Sequence, residues 1–339
     1  MKNKLIAALA LAGFLLNGVS AQAETVQPEL AFDAVQEITP GLVGETAAES
    51  QISITEIVSS GSVLVSDVTG RESNATTSIE LMGVENFSPT ATGISHLESA
   101  ADASEFLVQP LDQGFRILDV IPNSTASNEF SFTIHAPSGT KLVKSLGSIR
   151  LELGDEILGV IRAPWAVDSN GDSVETHFEL DGFTVTQVVD TNPLSAFPVI
   201  ADPNWGYAFT FTQKNTPLTS WNALHTCFNC YFPVTGAPKA WPTYGTILNL
   251  KAVWENMQCM MSFVTTGTNL YRWKFNATSA HVDGYGSYIT FELSKFPSTG
   301  KNRLIVDAFI VNDYKLGNAV YVAAAQDTWS KFASNLDLI

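Results

Sequence analysis

The chain has 339 residues, of which 45% are hydrophobic and only 15% charged, so it carries enough apolar material to build sizeable cores. Its 34 acidic residues outnumber its 18 basic ones, which gives a net charge of −16 at pH 7. Such a surface repels nucleic acid and anionic lipid, so the composition argues against both as partners.

The N-terminal segment predicts export. Lys2 and Lys4 precede an apolar run from Leu5 to Leu16, and Ala21-Gln22-Ala23 follows. A positive start, a short apolar run and an A-x-A site are typical of a secretory signal peptide. The apolar run is too short to span a bilayer permanently. We therefore expect residues 1–23 to be removed, the mature protein to be secreted and extracellular, and no insertion into a membrane.

The next two segments differ in composition and in the spacing of their apolar residues. Residues 24–50 are acidic and show no sustained period, so we expect a flexible acidic lead-in. Between residues 51 and 203, short alternating apolar runs are separated by turn residues, as in all-β domains. The stretch His96–Phe106 is the exception, because its apolar spacing predicts a helix. We expect a β-sandwich or barrel-like domain over residues 51–203.

Two hairpin signals close this domain. Asn170-Gly171 and Asp181-Gly182 are typical of tight turns, and the three flanking strands would form a meander. Pro193, Pro198 and Pro203 then predict an edge strand and a linker, because proline cannot donate to an inner ladder.

The first of these turns also has acidic residues at the spacing of a calcium loop. Asp168, Asn170 and Asp172 alternate, and Glu179 stands at the twelfth position. However, Ser173 occupies the sixth position, where that loop needs glycine, and strands rather than helices flank it. A plain solvated hairpin is the favoured interpretation.

Two stretches resemble a known group of sequences. Ala163–Ala166 (APWA), Asp168–Gly171 (D-x-N-G), Phe197–Val199 (FPV) and Ala201–Pro203 (ADP) resemble a segment of uncharacterised secreted actinobacterial proteins. The stretch from Trp273 to Phe291 is similar to C-terminal parts of the same group, in which glycine stands at the position of Ala280. The resemblance implies export and a two-part architecture. It implies no activity.

Residues 204–339 predict an α+β domain, an antiparallel sheet with a C-terminal helix. In Leu270–Thr278, Tyr271, Trp273, Phe275 and Ala277 alternate with polar residues, as in a half-buried strand. The other predicted strands are around Phe209 and at Thr246–Val253, Gln258–Thr265, Tyr288–Leu293 and Leu304–Val311.

The rest of this domain is predicted to hold an irregular segment and a helix. Pro217–Pro242 is turn-rich and is predicted to be irregular. From Ala319 onward there is no Gly or Pro, and apolar residues recur at helical spacing. That stripe consists of Val322, Ala325, Trp329, Phe332 and Leu336. We expect Trp329 to be buried against the sheet face that carries Trp273 and Phe275.

Three cysteines lie in this domain. Because an exported protein favours cystine, we predict a disulfide between Cys230 and Cys259, since Cys230 leads into a run that should dock on the sheet. A Cys227–Cys259 bond is the alternative. The same cysteines with His225 have the ligand types of a structural zinc site, which is the competing hypothesis.

The densest polar cluster is His281–Ser287. His281, Asp283 and Ser287 supply the residue types of a nucleophilic triad, so His281 and Asp283 are candidate catalytic residues. Asp283-Gly284 and Gly286 indicate a turn, however, and the favoured interpretation is that His281 and Asp283 cap it. Since no phosphate-binding loop or dinucleotide fingerprint appears, we predict no cofactor.

Two functions follow as hypotheses. The first is a secreted, non-catalytic binding or interaction module for a protein or a small apolar ligand, suggested by the many aromatic residues between Trp205 and Tyr244. The alternative is a hydrolase or small-ligand carrier with a pocket under the C-terminal helix. His281, Asp283 and, as a third option, His225 would line that pocket. An open apolar cavity touching His281 would favour the alternative.

Overall fold

The computed structural model describes residues 28–39, 42, 52–57, 62–67, 77–89, 93–111, 114–206, 208–252, 255–310 and 319–339. Strands make up about half of the described residues and helices much less. The predicted mainly β class, with antiparallel sheets and a C-terminal helix, is therefore confirmed. The predicted signal peptide lies outside the described residues.

The described residues up to 206 contain one helix, α1 (Pro28–Ile38), followed by strands. In chain order these are β1 (Ile52–Ile57), β2 (Ser62–Asp67), β3 (Thr77–Met82), β4 (Val84–Pro89), β5 (Ser95–Ser99), β6 (Glu105–Leu111), β7 (Gly114–Ile121), β8 (Glu129–His135), β9 (Lys141–Ser145), β10 (Ser148–Leu153), β11 (Glu156–Ile161), β12 (Trp165–Val167), β13 (Ser173–Val174), β14 (Thr176–Asp181), β15 (Thr184–Val189), β16 (Val199–Asp202) and β17 (Asn204–Gly206).

These strands form two antiparallel sheets. Sheet 1 has the order β1-β2-β3-β8-β15-β14. Sheet 2 has the order β13-β12-β16-β7-β17-β11-β10-β9, and β4-β5-β6 extends it from the other side of β7. β16 pairs with the second half of β7 and β17 with its first half, so both share one edge of that strand.

The two sheets pack face to face around one apolar core. Phe130, Phe132 and Ile134 of β8 alternate with polar residues and point into it from sheet 1. Phe115 and Ile117 of β7 meet them from sheet 2. A strand that buries every second residue has one face for the core, and two such faces make the sandwich-like arrangement that the alternation predicts.

The segment predicted as a flexible lead-in contains a helix, so that part of the prediction is wrong. α1 buries Ala31 and Val35, which lie one turn apart, against Leu107 and Leu118 on the outer face of sheet 2. The acidic composition of the segment hid this apolar spacing. Tertiary burial stabilises the helix.

The predicted helix at His96–Phe106 is also wrong, since the stretch is a hairpin between β5 and β6. Asp102 closes its turn, accepting a bond from the Ser104 backbone N–H at 2.9 Å. Ser99 Oγ accepts from the Ala101 N–H at 3.2 Å. Short side chains that bond to nearby backbone favour turns over helices.

Both predicted hairpin turns form, with Gly171 at φ 80° and Gly182 at φ 59°. β13 pairs with β12 in sheet 2, whereas β14 pairs with β15 in sheet 1. The chain therefore crosses from one sheet to the other at Glu175, between the two hairpins. The predicted meander is wrong, because turn chemistry does not specify which sheet a strand joins.

The predicted edge strand and linker are wrong as well. β16 is buried at every position and lies between β12 and β7 inside sheet 2. Pro198 precedes this strand and Pro203 follows it, so neither removes a ladder donor from within it. The domain boundary between residues 203 and 204 stays a prediction.

Sheet 3 and its helices form the C-terminal part. Its elements are β18 (Phe209–Gln213), α2 (Pro217–Thr226), α3 (Phe228–Tyr231), β19 (Ile247–Ala252), β20 (Glu255–Gly267), β21 (Leu270–Ala277), β22 (Tyr288–Lys295), β23 (Asn302–Phe309) and α4 (Ala319–Leu336). The antiparallel order is β18-β23-β22-β21-β20-β19. No helix among the described residues is long and apolar enough to cross a membrane.

All predicted strands of sheet 3 are confirmed, but Pro217–Pro242 is not irregular throughout. Thr216 caps α2, its Oγ1 accepting the Thr219 N–H at 3.1 Å, and Pro217 occupies the first helical position. These are ordinary start signals for a helix. The prolines further along the segment masked them in the sequence.

Candidate ligand-binding site

The inner face of sheet 3 is an aromatic wall. Trp273 and Phe275 of β21 are buried, and Phe291 of β22 stacks on Trp273 with ring centroids 5.1 Å apart. Their alternation with polar residues directs them all to one face, as β periodicity requires. Helices α2, α3 and α4 cover this face, so the wall is the core of the C-terminal part.

Helix α4 packs on the wall as its apolar stripe predicts. Phe332 and Leu336 are fully buried, and the Phe332 ring lies 5.7 Å from that of Phe291. Trp329, predicted to be buried against Trp273 and Phe275, contacts Phe291 at 5.1 Å instead and is only partly buried. The side chain of Val322 lies outside the described residues.

Trp329 is partly exposed because an open cavity of about 200 Å³ lies beside it, between α4 and sheet 3. The cavity wall is mainly apolar. It includes Phe232, Val234, Met257, Phe275, Val306 and Trp329. Ala324 and Ala325 line it from α4, where their short side chains leave room. A larger residue on this face of the helix would fill the space.

One end of the cavity is polar. His281, Asp283 and Ser287 line it, together with Arg162 and Tyr288. The first three lie in the loop between β21 and β22, whose successive turns bond Gly284 N–H to the His281 carbonyl at 3.1 Å and Ser287 N–H to the Gly284 carbonyl at 3.3 Å. The turn predicted from Asp283-Gly284 and Gly286 thus places the polar cluster on the cavity wall.

His281 is a neutral imidazole in this setting. The Asp283 backbone N–H donates to its Nδ1 at 3.0 Å, so Nδ1 is the acceptor and Nε2 carries the proton. Burial lowers the pKa of His281 to about 4. The ring is therefore uncharged at pH 7 and presents an N–H donor.

The arrangement is not that of a triad. Ser287 Oγ donates to the Asp283 carbonyl oxygen at 2.8 Å. The Asp283 carboxylate lies 3.7 Å from His281 Nδ1, which already accepts the amide proton. In a triad the histidine accepts a hydrogen bond from the nucleophile and donates one to the acid. Here the Ser287 hydroxyl donates to a backbone carbonyl, and His281 Nδ1 accepts a backbone N–H instead of donating to Asp283. These bonds support the predicted role of His281 and Asp283 in closing the turn.

Cys259 also lines the cavity, and its thiol is free. The disulfide joins Cys227 to Cys230 instead, so the predicted Cys230–Cys259 bond is wrong. Cys227 ends α2 and Cys230 lies in the single turn of α3, which brings their Cα atoms to 5.3 Å. That separation suits a disulfide. Sequence reasoning missed it because it did not place helices there.

The thiol of Cys259 is protonated. Burial, with a smaller contribution from the charge of Asp283, raises its pKa to about 12. Its Sγ donates to the Met257 carbonyl oxygen at 3.2 Å. A buried thiol of this kind is a poor nucleophile and packs as a small apolar side chain.

The four candidate zinc ligands do not converge. Two of the thiols form the disulfide, and His225 lies elsewhere, its ring stacked on Trp241 at 4.2 Å. Its Nδ1 donates to the Trp221 carbonyl oxygen at 3.0 Å. His225 is not part of the cavity wall. Among the described residues, no group of three or more His, Cys, Asp or Glu side chains is placed to hold a metal ion.

The acidic hairpin at Asp168 is a closed turn. The buried Asp168 carboxylate accepts backbone N–H groups of Asn170 at 2.9 Å, Asp172 at 3.1 Å and Ala196 at 3.1 Å. Burial raises the pKa of this carboxyl, but these bonds outweigh it, and the net shift is downward. The favoured interpretation of a plain hairpin agrees with these contacts.

Arg162 is the cavity residue that sequence reasoning could not find, because it comes from the end of β11 in sheet 2. Its Nη1 donates to Asn204 Oδ1 at 2.8 Å, and its Nε lies 3.6 Å from Asp307 Oδ1. The Tyr288 hydroxyl accepts the Ala163 N–H at 3.1 Å. The polar end of the cavity is thus assembled where sheets 2 and 3 meet.

Comparison with known proteins adds little. No protein-family model matches the chain, and no curated protein matches it. The structure of protein MLL2253 from Mesorhizobium loti has 18% identity, over 39% of this chain and 93% of that one, with a TM-score of 0.28. NdmB of Pseudomonas putida CBB5 has 9% identity, over 74% and 77% respectively, with a TM-score of 0.21. At these TM-scores neither likeness bears on the fold or function of this chain.

Proposed function

We propose that the protein binds a small, mainly apolar molecule in the cavity between α4 and sheet 3. The observation that carries the proposal is the open, mainly apolar space of about 200 Å³ that touches His281. Of the two functions that the sequence suggested, this is the small-ligand carrier. An apolar cavity with a few convergent polar groups is the usual form of a ligand site.

The interaction-module hypothesis has less support. It needs an exposed aromatic patch between Trp205 and Tyr244, but Trp221, Phe228 and Phe232 of that stretch are buried in the core. Among the aromatic side chains that the structure describes in this stretch, Tyr244 is the exposed one, at 80%, and one exposed ring does not make a docking surface. A hydrolase is also disfavoured, because His281 Nδ1 is occupied by a backbone amide.

The size of the cavity limits the ligand. A cavity of about 150 Å³ lined by aliphatic and aromatic residues holds benzene in another protein. A space of about 200 Å³ therefore suits a molecule of one ring with a short substituent. Toluene is a suitable first probe.

The test is toluene binding, measured by calorimetry and by the rise in unfolding temperature that ligand binding produces. Ala325→Phe places a ring in the cavity from α4 and should abolish binding. Ser330→Phe adds the same ring at an exposed position of α4 and should leave binding intact. Absence of binding to the wild type, or unchanged binding to the Ala325→Phe variant, would refute the proposal.

We further propose that this binding takes place outside the cell. The N-terminal signal pattern supports export, and so does the Cys227–Cys230 disulfide, since disulfides persist in oxidising compartments. N-terminal sequencing of the protein from culture supernatant should begin at Glu24. Finding only protein that begins at Met1, retained with the cells, would contradict export.

A further inference from the structure

The His281 side chain is only 8% exposed and lies on the cavity wall. One of its two nitrogens, Nδ1, accepts the Asp283 backbone N–H. The other, Nε2, therefore carries a proton and is a donor. It has no hydrogen-bond partner among the residues that the structure describes. The Nε2 atom is not among the fully buried polar atoms that lack a partner, so it is open to the cavity, where water or a ligand would normally satisfy it.

Most of the other polar groups of the cavity are already engaged. Ser287 Oγ donates to the Asp283 carbonyl, and the Tyr288 hydroxyl accepts the Ala163 N–H. Arg162 Nη1 donates to Asn204 Oδ1, whereas its buried Nε has no hydrogen-bond partner among the described residues and lies 3.6 Å from Asp307 Oδ1. The Cys259 thiol donates to the Met257 carbonyl. His281 Nε2–H is thus a neutral donor on the cavity wall that a ligand can use.

The charges at this end disfavour an anionic ligand. The imidazole is neutral, so it offers a dipole and no net positive charge. The negative charge of Asp283 lies beside it, 3.7 Å from Nδ1. The positive charge of Arg162 is offset by Asp307. A carboxylate would meet a neighbouring negative charge, whereas a neutral carbonyl oxygen can accept the Nε2–H without that cost.

We propose that the natural ligand is a small neutral carbonyl compound, a ketone or an ester, whose oxygen accepts the His281 Nε2–H while its apolar part fills the cavity. This inference rests on the proposed function and narrows it to a ligand class. Scaling from benzene in about 150 Å³, the cavity takes on the order of eight to nine heavy atoms.

The matched probes are acetophenone and α-methylstyrene, which have the same shape and differ only in C=O against C=CH₂. The two probes differ in solubility in water, so comparing their affinities for one protein does not isolate the contribution of the hydrogen bond. Comparing the affinity of each probe for the wild type and for His281→Phe does isolate it, because the free energy of removing that probe from water is the same in both measurements. Acetophenone affinity should fall about fivefold or more, the worth of one neutral hydrogen bond, while α-methylstyrene affinity should hold or rise.

Two further variants complete the experiment. His281→Gln keeps an N–H donor and should recover part of the acetophenone affinity. His177→Phe removes an exposed histidine of β14 in sheet 1 and should change neither affinity. Calorimetry gives the affinities, and thermal unfolding confirms that each variant folds.

The outcomes separate the two proposals. If neither probe binds the wild type, the proposed function fails and the carbonyl inference fails with it. If both bind but His281→Phe weakens them equally, or weakens neither, the cavity is a ligand site and the carbonyl inference alone is overturned. If His281→Phe does not fold, His281→Leu replaces it with the same expectations.

Discussion

Arg150 Nη1 lies 2.7 Å from Glu292 Oε2, although 142 positions separate the two residues in the sequence. Arg150 is on β10 of sheet 2 and Glu292 on β22 of sheet 3, and both side chains are buried. Arg272 Nε reaches the same carboxylate oxygen at 2.6 Å. The two parts of the chain are therefore joined by a buried, charged contact. Glu292 lies on the face of sheet 3 opposite that of its neighbour Phe291.

The state of Glu292 depends on this contact. Burial alone would raise the pKa of its carboxyl, but the charge and hydrogen bonds of Arg150 and the charge of Arg272 lower the pKa to about 2. Arg303 belongs to the same cluster, with Nη2 3.3 Å from Glu152 Oε1. Removing one member leaves the opposite charges buried without compensation.

Glu292→Gln should therefore destabilise the protein by about 3–5 kcal/mol at pH 7, the usual cost of breaking a buried pair on one side. Denaturant unfolding measures it. Glu179→Gln is the matched control, because that side chain is 69% exposed, and it should change stability by less than about 0.5 kcal/mol. If both substitutions are equally mild, the contact between sheets 2 and 3 does not form in solution.

The same group predicts a pH dependence. The folded pKa of Glu292 is about 2, below the ordinary value of 4.5. Its stabilisation is therefore fully present above about pH 4.5 and is lost as the pH falls towards 2. Unfolding free energies of wild type and Glu292→Gln, measured from pH 6 down to pH 2, should converge across that window. Parallel curves would show that Glu292 is not the carboxyl concerned.

Alternation within a strand predicted sheet 3 well. Trp273 and Phe275 could be assigned to one buried face from spacing alone, because a strand repeats every two residues whatever its neighbours are. The turn around Asp283 was predicted too, since glycine and aspartate favour turns locally. The stripe on α4 ending at Leu336 likewise follows from a local period. These are properties of a short stretch of chain.

Contacts between distant stretches could not be predicted. Nothing near Arg162 in the sequence indicates that it reaches a cavity of sheet 3, since β11 and β22 meet only in the folded chain. The Cys227–Cys230 bond was missed for a related reason: without α2 and α3, the close approach of the two Cα atoms is not visible. The crossing of the chain from sheet 2 to sheet 1 after Val174 depends on which strands are available as pairing partners in the folded protein. No local sequence pattern indicates that.

The packing of α4 gives a third prediction. Phe332 is fully buried among Phe291, Phe232 and Trp273, so Phe332→Ala should cost about 3–5 kcal/mol through lost transfer energy and the void left behind. Trp329 is partly buried beside an existing cavity, so Trp329→Ala should cost less and enlarge the cavity.

Lys331→Ala is the control for both substitutions. Its side chain is 65% exposed and pairs only with Asp327 one turn away, so the change should be below about 0.5 kcal/mol. Denaturant midpoints rank the three variants. A larger loss for Trp329→Ala than for Phe332→Ala would mean that α4 is rotated relative to the sheet.

Asp119 is an acidic residue inside the sandwich core. It lies on β7, whose Ile117 and Ile121 point into the same core, and it is 1% exposed. Its Oδ2 has no hydrogen-bond partner among the described residues. Burial raises its pKa well above the ordinary 3.8, and the nearby charge of Asp202 raises it further. Ionised Asp119 is therefore unfavourable in the folded protein.

The sign of the effect follows from that raised pKa. A folded pKa above the unfolded value means that the folded state is favoured below about pH 3.8, where both states are protonated, and loses stability as the pH rises through the folded pKa. Asp119→Asn removes the charge and keeps the shape, so it should stabilise the protein at pH 7 and have little effect at pH 3. Asp190→Asn, on an exposed side chain, should leave stability unchanged at both values. Denaturant unfolding of the three proteins at the two pH values tests this. A loss of stability for Asp119→Asn at pH 7 would mean that the ionised carboxylate has a bound counter-charge in that core.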